Sequence, residues 1–250
     1  MTALDKEKFF SLCRDDVVMR GTDADGIGTY NEKRLHRILK RYVTDNAQSY
    51  EVKICGSVAD IFKDGRITEI QTSSFRPLEK KIKKYLSETD YKVTVVHPIV
   101  LKKKIIKANK ETGEIISAKT SPKHEKYTDI LPRMYYLREL VKEERLEVRI
   151  LSVGVEEYRF SERVRYRKKG AYDNDVRPVE LFEEISLCGE KAYADIVPES
   201  LRIGEFTAAD FSSSTGLKNR KLSLALAFLT ESGIVQRRAE GRKIFYRFVL

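Results

Sequence analysis

The sequence predicts an α/β fold with a mixed central sheet flanked by helices, followed by a small C-terminal domain. Three strand-like runs between residues 50 and 72 are joined by connections so short that only antiparallel hairpins fit. A helical pattern then separates them from a β-branched run at 91–101, which is therefore expected to pair in parallel. The chain has 250 residues, 41% of them hydrophobic, which is enough for a large core.

Two helices are expected before the sheet. The first covers about residues 5–20 and has an apolar side that includes Phe9 and Cys13. The second follows a glycine-rich break, and its apolar residues recur at the i, i+3, i+4, i+7 spacing of one helical face from Leu35 to Tyr42.

The strands of the predicted sheet are "YEVKICG", "SVADIF" and "RITEIQT". The turn "KDG" joins the last two, with Gly65 available for a positive φ. The following helix, "SSFRPLEKKIKKYL", is expected to be capped by Ser73 or Ser74 and to tolerate Pro77 in its first turn.

The rest of the chain divides into segments of different character. A helix around "ILPRMYYLRELVKE" and the strand "LEVRILSVGVEEYRF" complete a domain at 1–160, which also contains a basic loop at 102–126. A basic connecting segment is expected at 161–202. Residues 203–250 then show the order helix, turn, helix, hairpin, with Thr207 as a cap and turns at Gly216 and Gly241.

Net charge, cysteine spacing and hydropathy indicate the kind of partner and the cellular compartment. The net charge is +10, from 48 Lys and Arg against 38 Asp and Glu, which favours a polyanionic partner. The three cysteines are far apart and lack a C-x-x-C pair, which argues against a zinc site or a disulfide framework and is typical of a reducing compartment. No stretch is apolar and long enough for a leader or a membrane span, so a cytoplasmic protein without a membrane partner is expected.

The second hairpin carries the candidate chemistry. Asp60 and Glu69 are expected to lie opposite each other near one end of the sheet, and Glu69 shares a strand face with Gln71. Two close carboxylates repel each other unless a cation lies between them. Mg²⁺ suits this donor set, with Mn²⁺ as the alternative, because it takes oxygen ligands and keeps several waters. The bland alternative is a pair of solvent-facing carboxylates on an amphipathic hairpin.

Asp60 followed by Glu69-x-Gln71 on the next strand, with Glu32 on the preceding helix, resembles the PD-(D/E)XK (restriction-endonuclease-like) nuclease superfamily in its E-x-Q variant. The resemblance implies a restriction-endonuclease-like core in which Asp60, Glu69 and the Ile70 carbonyl hold the metal and Glu32 assists. Gln71 stands where the superfamily usually has lysine, and an amide can only orient the attacking water. Glu32 also has a simpler explanation, since acidic residues are favoured in the first turn of any helix.

The C-terminal segment resembles a winged helix-turn-helix domain, and the whole order resembles bacterial proteins that pair a nuclease-like core with such a domain. The resemblance implies DNA contacts from the start of the second helix and from the wing. The alternative is a winged helix used for protein contact or dimerisation, and a homodimer is left open. The implied nucleic-acid-binding residues are Lys218, Asn219, Arg220, Lys221, Arg237, Arg238, Arg242 and Lys243.

Together these features favour a magnesium-dependent nucleic-acid phosphodiester hydrolase, with DNA favoured over RNA as substrate. The rival hypothesis is a non-catalytic DNA-binding or regulatory protein with a degenerate nuclease fold, which Gln71 in place of lysine supports. A third is a basic scaffold that uses both domains for protein contacts.

Overall fold

A computed structural model describes residues 5–18, 30–109, 112–161 and 173–249. Its described strands form a mixed seven-stranded sheet of order β1-β2-β3-β4-β6-β7, with β5 paired to β4, and a separate three-stranded sheet of order β8-β10-β9. The predicted α/β class with a mixed central sheet and flanking helices is confirmed. None of the described helices is long and apolar enough to cross a membrane.

The strands have the following bounds: β1 Tyr50–Ile54, β2 Ser57–Lys63, β3 Arg66–Ile70, β4 Lys92–Asn109, β5 Ile115–Thr120, β6 Leu146–Ser161, β7 Asp173–Leu187, β8 Glu205–Phe206, β9 Val235–Glu240 and β10 Lys243–Phe248. The helices are α1 Lys6–Val18, α2 Tyr30–Val43, α3 Leu78–Glu88, α4 Leu131–Met134, α5 Gly189–Asp195, α6 Glu199–Arg202, α7 Ala208–Thr215 and α8 Asn219–Glu231.

The described residues divide into two compact units, and each unit draws on three stretches of the chain. Unit 1 consists of Met1–Gln48, Pro98–Glu125 and Leu151–Glu184, and unit 2 consists of Ser49–His97, Lys126–Ile150 and Ile185–Leu250. The domain boundaries expected at 160 and 202 remain predictions. The described part of the expected connecting segment 161–202 consists largely of regular structure, since it contains β7, α5 and α6.

Unit 1 contains α1 and α2, whose apolar faces meet through the buried Phe9 and the ring of Tyr42, 5.5 Å apart in an edge-on arrangement. It also contains β5 and the parts of β4, β6 and β7 that lie between residues 98 and 184. The basic loop expected at 102–126 is therefore largely strand, because β4 continues to Asn109 and pairs in antiparallel with β5.

Unit 2 contains the hairpins that the sequence predicted. β1 pairs with β2 and β2 with β3 in antiparallel, and β3 pairs with β4 in parallel across α3. Asp64 and Gly65 at the β2–β3 turn have φ values of 50° and 69°. Positive φ at both central residues is the backbone geometry of a type I′ turn, which matches the twist of the two strands.

Two helices of unit 2 differ from their predicted forms. α3 begins at Leu78 with Pro77 at its N-cap and no side-chain cap, so neither Ser73 nor Ser74 caps it. The helix expected around 130–143 is broken into a 3₁₀ turn at Tyr127–Ile130, the short α4, and a 3₁₀ turn at Tyr135–Leu140. Pro132 explains the break between the first 3₁₀ turn and α4: it is tolerated in the first turn of α4, but it lacks the N–H that one continuous helix from Tyr127 would require.

The C-terminal part of unit 2 follows the predicted order of elements. Thr207 caps α7 by a reciprocal capping box with Asp210, and Gly216 ends the helix at a φ of 82°. A left-handed residue after the last turn is a common helix terminator, and glycine adopts it without strain. β9 and β10 form the predicted hairpin, and β8 pairs with the other edge of β10.

Candidate functional site

Asp60 lies in the middle of β2, and Glu69 lies on the neighbouring strand one residue before the end of β3. Ile61 is paired with Thr68, so Asp60 and Glu69 occupy the next opposed positions of the ladder. The Asp60 Oδ2 atom accepts a hydrogen bond of 2.7 Å from the Ile70 N–H. Asp60 is therefore held on the backbone of the residue that follows Glu69.

Glu69 is the most deeply buried of these acidic groups, with 2% of its surface exposed. Its Oε2 accepts a hydrogen bond of 2.7 Å from the Lys81 ammonium, and its Oε1 accepts one of 3.3 Å from the Tyr85 hydroxyl. Burial raises the pKa of Glu69 to about 7, and the negative charge of Asp60 also raises it, while the bonds from Lys81 and Tyr85 oppose the shift. The site thus holds a carboxyl group that titrates near neutral pH.

Helix α3 delivers both partners of Glu69. Lys81 and Tyr85 are four residues apart, so they lie on the same helical face, and the Lys81 Nζ atom lies 5.9 Å from the centre of the Tyr85 ring. The same face buries Leu78 and Ile82, which anchor the helix in the core. The lysine stem can extend over this apolar surface while its ammonium reaches the carboxylate.

The C-terminal end of α3 is fixed by Arg145. Its guanidinium donates hydrogen bonds of 2.9 Å to the Leu86 carbonyl and 2.6 Å to the Thr89 carbonyl. The last carbonyls of a helix lack partners within the helix and carry partial negative charge, so a cation there stabilises both its end and its direction. This contact holds Lys81 and Tyr85 in position relative to the strands.

Gln71 directly follows β3, and both its backbone N–H and its backbone carbonyl form hydrogen bonds. Its N–H donates a hydrogen bond of 2.9 Å to the Val96 carbonyl, and its own carbonyl accepts one from the Nδ1 atom of His97. The Gln71 side-chain Oε1 accepts hydrogen bonds from the N–H and the hydroxyl of Ser73. The E-x-Q segment is thus rigidly attached to β4.

His97 is fully buried and neutral. Burial and the nearby Arg133 guanidinium lower its pKa to about 3, and the hydrogen bond with the Gln71 carbonyl opposes this shift. Because a carbonyl can only accept, Nδ1 carries the proton, and in the described part of the chain the buried Nε2 atom has no hydrogen-bond partner. The ring also meets Phe75 edge-on at 5.2 Å.

The predicted site residues are brought together only in part. Asp60, Glu69 and the Ile70 backbone converge, and Gln71 lies beside them at the end of the strand. Glu32 is in α2, but its side chain lies outside the described residues. No group of three or more His, Cys, Asp or Glu that could hold a metal ion occurs among the described side chains.

Lys81 is the residue that sequence reasoning missed. It lies twelve positions after Glu69, on the helix rather than on the strand, so a strand motif could not include it. The available signal was its place between Leu78 and Tyr85 on the apolar face of α3, where a lysine must either reach solvent or meet an acid.

The predicted nucleic-acid-binding residues fall into two groups. Lys221 pairs with Asp129 at 2.9 Å, and Arg238 pairs with Glu205 and with Glu240, each at 2.9 Å. The other members are exposed, and Asn219 begins α8 with a φ of 51°. Those that have no acidic partner among the described residues are Lys218, Arg220, Arg237, Arg242 and Lys243.

Comparison with known proteins places the chain in a family. A family model described as a domain of unknown function, DUF8091, matches residues 33–188, more than half of the chain. An uncharacterized protein of Treponema pallidum (strain Nichols) is 30% identical over 226 residues, which cover 88% of this chain and 87% of the relative. No solved structure matches the chain significantly. The chain therefore belongs to the DUF8091 family.

Proposed function

We propose that this protein is a metal-dependent phosphodiesterase of the PD-(D/E)XK type that hydrolyses nucleic acid in the cytoplasm, with DNA favoured over RNA. One observation carries the proposal: the Lys81 ammonium lies 2.7 Å from the Glu69 carboxylate, beside Asp60. Carboxylates on neighbouring strands can hold a metal ion, and an amine beside them can offset charge on a phosphate, so the three groups suit metal-assisted phosphodiester hydrolysis. Lys81 thereby supplies the positive charge that Gln71 cannot.

The donor set suits Mg²⁺ or Mn²⁺ in its chemistry. Asp60, Glu69 and the Ile70 carbonyl would hold the ion through oxygen atoms, and Mg²⁺ commonly takes one or two carboxylates and keeps its remaining waters. A bound cation would also favour the ionised form of Glu69, whose pKa burial raises to about 7. When bound, the ion would polarise the phosphate and lower the pKa of a bound water.

The residues of the chain would divide the remaining work. Asp60 is fixed by the Ile70 N–H, which holds its carboxylate beside the last residues of β3. Lys81 would leave Glu69 for a phosphate oxygen, where its charge offsets the negative charge that develops as water attacks phosphorus and the P–O bond breaks. The Gln71 side chain would orient that water through hydrogen bonds.

We propose that α7, α8 and the β9–β10 hairpin form a winged helix-turn-helix domain that supplies affinity for the duplex. The exposed Lys218 and Arg220 at the start of α8 and Arg237, Arg242 and Lys243 on the hairpin support this assignment, since phosphate contacts come from such positions. In this domain Arg238 and Lys221 already have acidic partners, so we expect them to contribute less.

A non-catalytic DNA-binding protein is the second candidate. Two observations favour it: the described side chains offer no third acidic, histidine or cysteine ligand, and both oxygens of Glu69 already accept hydrogen bonds. In this case the Lys81–Glu69 pair would stabilise the fold of a core that has lost its chemistry.

Cleavage assays separate the two candidates. Plasmid, single-stranded DNA and RNA are incubated with Mg²⁺ or Mn²⁺ and the wild type, Asp60→Ala, Glu69→Ala or Lys81→Met. We expect metal-dependent cleavage of DNA by the wild type, none by the two acid variants, and a loss of about 10²-fold in Lys81→Met. Lys80→Met, which changes the exposed neighbour on the same helix, is the matched control and should cleave normally. If no substrate is cut while DNA affinity remains, the enzyme proposal fails and the second candidate stands.

A further inference from the structure

The ribbon formed by the second half of β4 and by β5 has an unusual charge. Its two strand segments, residues 102–109 and 115–120, contain five lysines and no acidic residue. All six residues of β5 are exposed, so solvent reaches both faces of the ribbon along this strand.

Only two of these lysines have acidic partners among the described residues. Lys103 pairs with Glu157 at 3.0 Å and Lys104 pairs with Glu156 at 3.2 Å, both acids being on β6. Lys102, Lys107 and Lys119 are exposed and have no acidic partner in the part of the chain that the structure describes. The positive charges next to β6 are therefore neutralised, whereas those of Lys102, Lys107 and Lys119 are not neutralised by any described residue.

Lys107 and Lys119 share one face of the ribbon. Lys107 is paired with Ser117, and Lys119 is paired with Ile105, so the two lysines are diagonal neighbours. Diagonal side chains in a sheet interact, and like charges there repel each other. An acidic residue at either position would relieve the repulsion, whereas two amines provide a site for a polyanion.

The end of the ribbon is apolar. Ile115 and Ile116 are each 60% exposed. The register passes from Lys107–Ser117 to Ala108–Ile115, so Ile116 is an extra residue that has no partner in this ladder. Such a bulge increases the local twist and redirects side chains. Lysines are common on edge strands because their charge prevents aggregation with other strands. This explanation does not account for the exposed isoleucines, which favour such aggregation.

We propose that the β4–β5 ribbon is a second nucleic-acid-binding surface whose occupant is duplex DNA. Duplex DNA carries one negative charge per about 1.7 Å of its axis, so closely spaced lysines that have no acidic partner complement its phosphates. The exposed strand β5 is the side of the ribbon that DNA can reach, because β6 borders β4 on its other side. Lys107 and Lys119 contact phosphates, and Ile115 and Ile116 contact the apolar parts of the base edges. This surface requires neither a metal nor hydrolysis, so it goes beyond the proposed enzymatic function and stands independently of it.

The salt dependence of binding tests the role of the lysines. The full chain is titrated with a short DNA duplex in EDTA at several salt concentrations, and log K is plotted against log salt. Each lost phosphate contact reduces the slope by about 0.9, so the double variant Lys107→Gln/Lys119→Gln should reduce it by about 2. Lys6→Gln/Lys92→Gln removes the same charge from two exposed lysines elsewhere and should leave the slope unchanged.

The isoleucines are tested separately. Ile115→Thr/Ile116→Thr keeps the β-branched shape and should weaken binding without changing the slope, because no charge is lost. The proposal is overturned if the wild type does not bind duplex DNA, if both lysine variants reduce the slope equally, or if polyglutamate competes as well as DNA does. A wild type that binds in EDTA but cleaves nothing with Mg²⁺ would refute only the enzyme and leave this surface in place.

Discussion

Replacing Glu69 with glutamine should change how the stability of the protein depends on pH. Burial raises the pKa of Glu69 from 4.5 to about 7 in the folded protein. Between these values the folded state binds a proton that the unfolded state has lost, so stability is highest below the unfolded pKa and falls as pH rises through the folded pKa. An amide side chain cannot titrate, so the Glu69→Gln variant lacks this loss.

The size of the effect follows from the shift. One pKa unit corresponds to about 1.4 kcal/mol, so the wild type should lose about 2.5 kcal/mol relative to Glu69→Gln between about pH 5 and about pH 8. The difference between the two proteins must be used, because His97 acts in the opposite direction. Its pKa is lowered to about 3, so protonation of the unfolded chain reduces stability as pH falls below 6.5.

Urea denaturation of both proteins across this pH range measures the difference. Glu139→Gln is the control. The hydrogen bond from Lys83 lowers the pKa of Glu139, so the stabilisation from this carboxylate is lost only when the pH decreases below the unfolded pKa of 4.5. Its difference curve should therefore be flat above about pH 5.5. Parallel curves for the wild type and Glu69→Gln would refute the raised pKa, and with it the account of a buried, protonatable carboxyl group at the site.

Three further predictions follow from contacts of unit 2. Lys81→Met should raise the pKa of Glu69 above its wild-type value, because the ammonium opposes the effect of burial, and NMR titration of the side-chain carboxyl carbon measures this. His97→Phe should reduce the loss of stability on acidification below pH 6.5, as urea denaturation would reveal, although loss of the bond to the Gln71 carbonyl lowers its stability at neutral pH. Thr207→Ala should lower the free energy of unfolding by about 1 kcal/mol, measured by urea denaturation, while Thr207→Ser, which keeps the capping oxygen, should be nearly neutral.

The sequence predicted those parts of the fold that local chemistry determines. The Asp64-Gly65 turn and the Thr207 cap are set by the residues at the turn and the cap themselves, and both occur as predicted. The parallel pairing of β3 with β4 followed from the helix between them. In contrast, the strand β7 follows a basic segment with no clear alternation, and the pairing partners that stabilise it are distant in sequence. Such non-local pairing overrides a weak local pattern.

The β4–β5 ribbon shows the same limit. A run of lysines such as 102–104 favours a solvated loop when read locally, yet Lys103 and Lys104 are held in a strand that Glu156 and Glu157 neutralise from β6. Their partners lie more than fifty residues away. Charge pairing across a sheet was not visible before the order of the strands was known.

The importance of Gln71 changes once α3 is placed over the strands. In the sequence Gln71 occupies the position where the superfamily usually has lysine, so this residue separates the nuclease hypothesis from the degenerate-nuclease hypothesis. The structure has an amine beside Glu69 after all, but it comes from Lys81 on the next helix. The proposed site needs a positive charge near Glu69, and a lysine on a helix that packs on the strand can provide it as well as a lysine on the strand. The distinction between enzyme and binding protein therefore depends on whether Lys81 can exchange Glu69 for a phosphate, which the comparison of Lys81→Met with Lys80→Met measures directly.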